Sequence, residues 1–345
     1  MENIVVGLDV HKINTQICKM SSEGQILEET RIQTSSARFA DFFGNSAKMT
    51  IGLEMSGGIF AVAQWLFDLG HDVRLLKPST AKAFRRHGKK TDREDARCLA
   101  KALQSGVSEE VLYQPQEVRE MKALLSNRQH MIKQRVQLTN HLRSILREFG
   151  YTFPKGKKAF LEQVPREIEK VELQALRESL QKSFEKIKEL FAEEKEIDTV
   201  LFQLYGKSEK TQKLMSIPGI GIQTALCLQV SVYDSTRFRS AKQVSAYLGL
   251  TPREYSSGQK RRLGPITKAG CGLTRMNLIH GARVIYYMSK GQCRLVNWSK
   301  KVSSHKNAQI VALASKLARI AYGVLKYDTP YNPAYQRRPL MRAAA

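Results

Sequence analysis

The sequence predicts an α/β domain followed by a mainly helical remainder, and three observations predict it. The first hundred residues alternate short β-rich apolar runs with helical segments. From Gln116 to Phe149 the chain has neither Pro nor Gly and repeats its apolar residues at helical spacing. Beyond residue 209 amphipathic helices return, interrupted by one Gly- and Pro-rich segment, Leu248–Gly270. The expected parts are an α/β domain at 1–110, a helical arm at 111–208, a second, mainly helical domain at 209–327, and a Pro- and Arg-rich disordered tail at 328–345.

Ile4–Val10 is a short β-branched run and reads as a central strand. Asn14–Met20 and Gln25–Ile32, split by the turn Ser21–Gly24, complete a three-strand meander. A helix over Ala37–Phe43 leads to a fourth strand, Met49–Glu54. Gly57 and Gly58 open the next helix, Ile59–Leu69, and Asp72–Leu76 is a fifth strand. Three strands, then helix, strand, helix, strand, helix, is the order of a ribonuclease-H-like fold.

The acids in that order point to chemistry. Asp9 lies inside the first strand between Leu8 and Val10, where an unpaired carboxylate is costly. Glu54 ends the fourth strand, which lies beside the first in such a fold. Thr91 then starts a helix whose Asp92 and Asp95, three apart, share a face. Singly, each has a bland role as a cap, strand end or first-turn acid. Together, four carboxylates at one sheet edge repel one another unless divalent cations neutralise them. Carboxylate-held Mg²⁺, or Mn²⁺ in its place, activates an attacking oxygen and stabilises a leaving one in phosphoryl transfer. Between these acids runs a basic stretch in which Arg85, Arg86, Lys89 and Lys90 read as a phosphate-contacting loop.

The arm carries no chemistry. Gln116–Phe149 and a second helical stretch, Arg166–Tyr205, show heptad-like apolar stripes with mixed charges. They predict an antiparallel hairpin or an intermolecular coiled coil serving dimerisation. After it, Pro218-Gly-Ile-Gly221 followed by Thr224-Ala reads as a helix-hairpin-helix turn. Gly219 and Gly221 permit a tight turn whose amides face a phosphate at the next helix. Helices over Phe238–Leu248, Leu273–Met288 and Gln309–Leu325 follow. The segment Leu248–Gly270 has too much Gly and Pro for helix or regular strand. It sets Ser256, Ser257 and Gly258 among Arg253, Lys260, Arg261, Arg262 and Lys268. A serine among fixed cations suits attack on a phosphodiester, and equally a basic loop that only binds nucleic acid.

Lys and Arg exceed Asp and Glu by 24 charges over 345 residues, which points to a polyanionic partner, most simply nucleic acid. The five cysteines form no C-x-x-C pair and read as buried residues of a reducing compartment. No apolar run reaches membrane-spanning length and no signal peptide opens the chain, so a cytoplasmic protein without membrane contact is expected.

Asp9, Glu54, Thr91-Asp92-Arg-Glu-Asp95-Ala, Ile217-Pro-Gly-Ile-Gly221, Gly249-Leu-Thr-Pro-Arg253, Ser257-Gly258 and Arg262-(x)-Gly264-(x)-Ile266-Thr-Lys268-(x)-Gly270 occur in that order. Taken jointly, from about Val5 to Lys326, they make the chain resemble the DEDD transposases of the insertion-sequence one-ten family, relatives of the Piv DNA invertase. The resemblance implies a RuvC-like domain joined to a C-terminal transposase domain. It also implies site-specific recombination of donor and target DNA guided by a non-coding bridge RNA, and a homo-oligomer, a dimer or a tetramer in the synaptic complex. It makes Asp9, Glu54, Asp92 and Asp95 the metal ligands and Ser257 the nucleophile that forms a covalent phosphoserine link to DNA. In the family the two parts meet across protomers in one composite site. Two other readings stand beside this one: a RuvC-like nuclease in which water attacks, and a non-catalytic nucleic-acid-binding protein.

Overall fold

Residues 4–85, 91–152, 156–255, 262–289 and 293–334 of the computed structural model are described here. They fall into two units, residues 1–115 and 116–345.

In the first unit six strands form one sheet in the order β3-β2-β1-β4-β5-β6. These are β1 Val5–Val10, β2 Asn14–Met20, β3 Ile26–Gln33, β4 Thr50–Glu54, β5 Asp72–Leu76 and the short β6 Glu110–Val111. β1 runs antiparallel to β2 and parallel to β4, with Gly7 opposite Gly52. The helices are α1 Ser36–Phe43, α2 Ile59–Asp68, α3 Pro78–Phe84 and α4 Asp92–Gln104. The meander and both following strands stand where the sequence places them, within a residue or two at their ends.

The two-residue alternation of strands sorts each side chain to a face. Val6 and Leu8 of β1, with Ile51 and Leu53 of β4, pack under α1 and α2 against Phe39, Phe43, Val62 and Leu66. The opposite face carries Gly7 and Gly52, and there α4 lies directly on the sheet. A Cβ at Gly7 would stand 2.1 Å from the Ala96 carbonyl oxygen and 2.4 Å from the Ala100 nitrogen. Glycine is what lets the helix backbone come this close.

α4 is fixed at its start as well. Thr91, with extended backbone, accepts from the Glu94 N–H at 3.2 Å, and Asp92, Glu94 and Asp95 fill the first turn, where the helix dipole favours acids. Glu29 of β3, only 8% exposed, ties the helix to the sheet by accepting from Arg93 Nε at 2.8 Å and from Arg97 Nε and Nη2 at 2.5 and 2.7 Å. The Arg97 hydrogen bond, with that of Arg93, holds the Glu29 carboxyl at about 2 against an ordinary 4.5. A depressed carboxyl stabilises the fold fully above its unfolded value and loses that contribution as pH falls through the folded one. Discounted for the exposure of Arg93, the tie is worth about 2 kcal/mol at neutral pH. Glu29→Gln is therefore expected to lower the Tm of the full-length protein by several degrees at pH 7. The gap to wild type should narrow as pH falls from about 4.5 toward 2; a gap independent of pH would remove the ion tie as its cause.

The second unit is built on α5 Gln116–Glu148, α6 Lys157–Glu169 and α7 Gln174–Leu201, whose end loosens into a π-turn over Phe202–Gly206. Arg128 donates to Asp198 at 2.5 Å and Arg135 to Glu194 at 3.0 Å, so α5 and α7 run antiparallel within one chain. Leu142, Leu146, Phe160, Val164, Phe184 and Ile187 fasten α6 to their far end. The single helix expected over Arg166–Tyr205 is two: α6 starts earlier, at Lys157, and the chain breaks at Lys170, where Val171 tucks into this core at 5% exposure.

The rest comprises α8 Glu209–Met215, α9 Ile222–Ser231, α10 Ala241–Tyr247, the two-stranded ladder β7 Pro252–Glu254 with β8 Leu263–Ile266, α11 Gly272–Met288, α12 Arg294–Lys300 and α13 Lys306–Tyr327. Leu228, Leu278, Leu313 and Leu317 anchor their shared core. The 22-residue α13 is long and apolar enough to cross a membrane, contrary to the expectation that no run approaches that length. Half of it is buried here, with Leu313, Leu317 and Ala321 fully enclosed, as in a core helix.

Candidate active site

Asp9 and Glu54 each stand two residues beyond the glycines that seat α4, and alternation puts both on the α4 face at the ends of neighbouring parallel strands. The first turn of α4 brings Asp92 and Asp95 to the same place. Burial raises the Asp9 carboxyl above its ordinary value, the charges of Asp95 and Asp92 push it further, and His11 opposes them. Glu54 is raised by burial and then by Asp9 and Asp95, against Arg85 and Lys82. Asp9 thus feels the charges of Asp95 and Asp92, and Glu54 those of Asp9 and Asp95.

Two nitrogen-bearing side chains, one of them cationic, face this cluster. Arg85 Nη2 is ion-paired with Asp95, whose side chain is 13% exposed. His11, just past β1, places Nε2 3.1 Å from Asp9 Oδ2 and 3.4 Å from Asp92 Oδ1. One ligand atom each from Asp9, His11 and Asp92 lies within 4.8 Å of the others, close enough to share one ion. Ionising carboxylates crowded together in this way is costly, and a bound dication would offset that cost.

The basic stretch is partly spent on internal pairs. Lys77 binds Glu109 at 2.8 Å, Arg93 and Arg97 hold Glu29, and Arg85 faces Asp95. Arg86, Lys89 and Lys90 lie outside the described residues, as do Ser256, Ser257 and Arg261.

In the second unit the serine segment joins β7 to β8. The sequence predicts no regular strand there, yet Pro252 pairs with Ile266 and Glu254 with Leu263, and Tyr255 N–H donates to the Arg262 carbonyl at 2.9 Å. Pro252, Gly264 and Pro265 lie within the two strands, and the register shifts between Pro252 and Glu254; both strands are edges, where proline is tolerated. Arg253, Arg262 and Lys268 are exposed on this hairpin. Lys268 has φ +56°, an uncommon backbone for a non-glycine residue, with its N–H donating to the Gly249 carbonyl at 3.2 Å. Arg275 of α11 grips the base of the hairpin, donating to the Ala269 carbonyl at 2.7 Å and the Leu248 carbonyl at 3.2 Å. A Cβ at Gly270 would stand 2.1 Å from the Tyr247 carbonyl oxygen, so only glycine closes the loop there.

The Pro-Gly-Ile-Gly turn joins α8 to α9. Gly219 takes φ +78°, and its carbonyl oxygen presses on Gly281 of α11. Gly221 caps α9 and is exposed, with nothing within 4 Å of where a Cβ would stand. All five cysteines are free thiols, but burial holds only for Cys18, Cys98 and Cys227; Cys271 is exposed at the start of α11 and Cys293 is half-buried.

Three features escape sequence reasoning. His11 carries a signal, its two-residue spacing from Asp9, while Gly7 and Gly52 each precede a carboxylate by two. Glu29 carries none, because its role depends on β3 and α4 meeting in space.

A transposase family profile of DEDD type matches residues 6–151, and one described as the IS116/IS110/IS902 transposase family matches residues 211–296. The chain is 30% identical over 338 residues to the transposase of insertion sequence element IS1111A from Coxiella burnetii, covering 95% of this chain and 91% of that protein. It is also 30% identical to the transposase of IS1328 from Yersinia enterocolitica, covering 96% and 100%. The pilin gene-inverting protein of Moraxella bovis is 24% identical, over 84% of this chain and 83% of its own. Similarity of this extent, across both the carboxylate unit and the serine unit, places the chain in the IS110/IS116/IS902 family of DNA transposases and recombinases.

Proposed function

We propose that this transposase is an RNA-guided, site-specific recombinase whose RuvC-like first unit holds divalent metal on Asp9, Glu54, Asp92 and Asp95 and whose Ser257 is the nucleophile. The observation that carries the reading is the convergence of those four acids, on the face where glycines seat α4. The strand order, with an antiparallel meander beside two parallel strands, supports the RuvC-like assignment. Guidance by a bridge RNA pairing with donor and target DNA rests on the family resemblance, and the excess of 24 positive charges suits both nucleic acids. Oligomerisation through the α5–α7 arm belongs to the same proposal.

Asp9, Glu54, Asp92 and Asp95 are the residues that would hold Mg²⁺ or Mn²⁺. The partial burial of Asp9, Glu54 and Asp95 and the repulsion felt by Asp9 and Glu54 fit such an ion. Once bound, a dication supplies Lewis-acid stabilisation of phosphodiester oxygens. The serine hydroxyl gives up its proton, the Oγ–phosphorus bond forms, the phosphorus–O3′ bond breaks, and a 3′-hydroxyl departs. Attack by a second 3′-hydroxyl on the phosphoserine reverses these changes and joins new strands, so no bond energy is lost to water. Arg253, Arg261, Arg262 and Lys268 flank the serine in sequence and would counter the charge of the phosphate in transit. At the Gly219–Gly221 turn, the exposed start of α9 offers amides to a DNA phosphate without reading sequence. Arg86, Lys89 and Lys90 would carry the backbone toward the acids, while Arg85 exchanges Asp95 for phosphate once a metal is bound.

The test is covalent trapping. Protein–DNA adducts recovered under denaturing conditions should be present in wild type and Ser256→Ala, absent in Ser257→Ala, and absent when a chelator is added. Cleaved DNA without adducts, unaffected by either serine change, would make water the nucleophile and the protein a hydrolytic nuclease.

A further inference from the structure

We propose that His11 is a direct nitrogen ligand of the carboxylate-held ion, giving the site at Asp9 and Asp92 a mixed N,O,O donor set that selects Mn²⁺ over Mg²⁺. The inference rests on the carboxylate–metal reading above and specifies the ion that reading leaves open.

The geometry favours a shared cation over a hydrogen bond. A single Nε2 faces two carboxylate oxygens, at 3.1 Å and 3.4 Å, from residues on different elements. One ring proton cannot point at both. Two donors each about 2.1 Å from one ion and roughly a right or tetrahedral angle apart stand about 3.0–3.4 Å from each other. Both separations at His11 fall in that interval. Asp95, paired with Arg85 through one oxygen, lies outside this three-residue group. His11 is also half exposed, at 54%, so the ring is not there to fill a core.

The chemistry then follows from the donors. Mg²⁺ takes oxygen ligands, keeps several waters and accepts imidazole poorly, whereas Mn²⁺ combines carboxylate and imidazole readily. A nitrogen donor in a carboxylate site therefore shifts preference toward Mn²⁺ without preventing Mg²⁺ from binding the oxygens alone.

The experiment uses full-length protein without an affinity tag, titrated with Mn²⁺ and separately with Mg²⁺, with pulsed EPR of the Mn²⁺ form. Wild type should bind Mn²⁺ more tightly and show nitrogen coupling. His11→Asn, which removes the ring nitrogen and whose amide stops short of the Nε2 position, should weaken Mn²⁺ by about tenfold or more. It should lose the nitrogen coupling and leave Mg²⁺ affinity within about twofold. Unchanged Mn²⁺ affinity and nitrogen coupling in His11→Asn, with Mn²⁺ binding lost in Asp9→Asn, would overturn the role of His11 and leave the carboxylate reading standing. Equal weakening of both ions in His11→Asn would also overturn it, making the ring a brace for Asp9 and Asp92. Mn²⁺ and Mg²⁺ binding untouched by Asp9→Asn would remove both readings together.

Discussion

Asp9→Asn is expected to reduce DNA strand cleavage by on the order of 10³-fold or more while leaving DNA binding and the fold intact, because a dication's stabilisation of transition-state charge is worth several kcal/mol. Asn keeps the shape of the side chain and one oxygen but removes the charge. Among the four acids, Asp9 is where that charge counts most. It is repelled by Asp92 and Asp95, it repels Glu54, and its side chain is 16% exposed. Neutralising it also relieves a carboxyl that burial pushes upward, so stability should be unchanged or slightly increased, the opposite of what a structural acid would give. Three measurements on one protein separate the cases: cleavage of a supercoiled or oligonucleotide substrate, DNA affinity, and Tm. Retained cleavage would remove the metal site. Lost cleavage accompanied by a Tm lower by many degrees would make Asp9 a structural residue instead.

The sequence discloses the site unevenly, and the reasons are physical. Asp9 and Glu54 are legible because a carboxylate inside or at the end of an apolar run violates the strand's own pattern. Asp92 and Asp95 are legible because Thr91 announces a helix start. What joins them is legible only as far as strand order goes, since the two-residue period sends Asp9 and Glu54 to one face once β1 and β4 are known to be parallel neighbours. The partners of these acids depend on tertiary contact. Arg85 reads as one more cation in a basic run until it is seen against Asp95. Glu29 sits in a strand that looks half-exposed and ordinary, yet it anchors two arginines of a helix more than sixty residues away. Periodicity alone also misjudges helix breaks: the apolar stripe of the arm continues through Lys170–Leu173, where the backbone does not. At the serine hairpin, glycine and proline density hides a short ladder, because both strands of a two-stranded ladder are edges, where proline is tolerated, and a register shift accommodates them.

The second large effect concerns the glycines beneath α4, and a pair of substitutions distinguishes two kinds of closeness. Gly7→Ala should destabilise the protein by about 3 kcal/mol or more, because its Cβ meets backbone, the Ala96 oxygen at 2.1 Å and the Ala100 nitrogen at 2.4 Å, which cannot change rotamer. Gly52→Ala, directly opposite in the ladder, meets mainly the Leu103 side chain, at 2.7 Å from Cδ1, which can turn away. Its cost should be smaller, about 1–2 kcal/mol. Leu103→Ala should then offset part of the Gly52→Ala loss, with a coupling of about 1 kcal/mol in a double-mutant cycle. Leu99→Ala should do nothing for Gly7→Ala, since the Leu99 atom nearest that site is the Cβ, which alanine retains. Thermal or denaturant unfolding of the full-length variants measures all of this. Equal effects at the two glycines, or rescue of Gly7→Ala by truncating Leu99, would show that the helix is not seated on the strand backbone. The functional consequence runs along the same contact. A helix lifted from Gly7 carries Asp92 and Asp95 away from Asp9 and Glu54, so a Gly7→Ala protein that still folds should bind divalent metal more weakly than Gly52→Ala although it has kept every ligand.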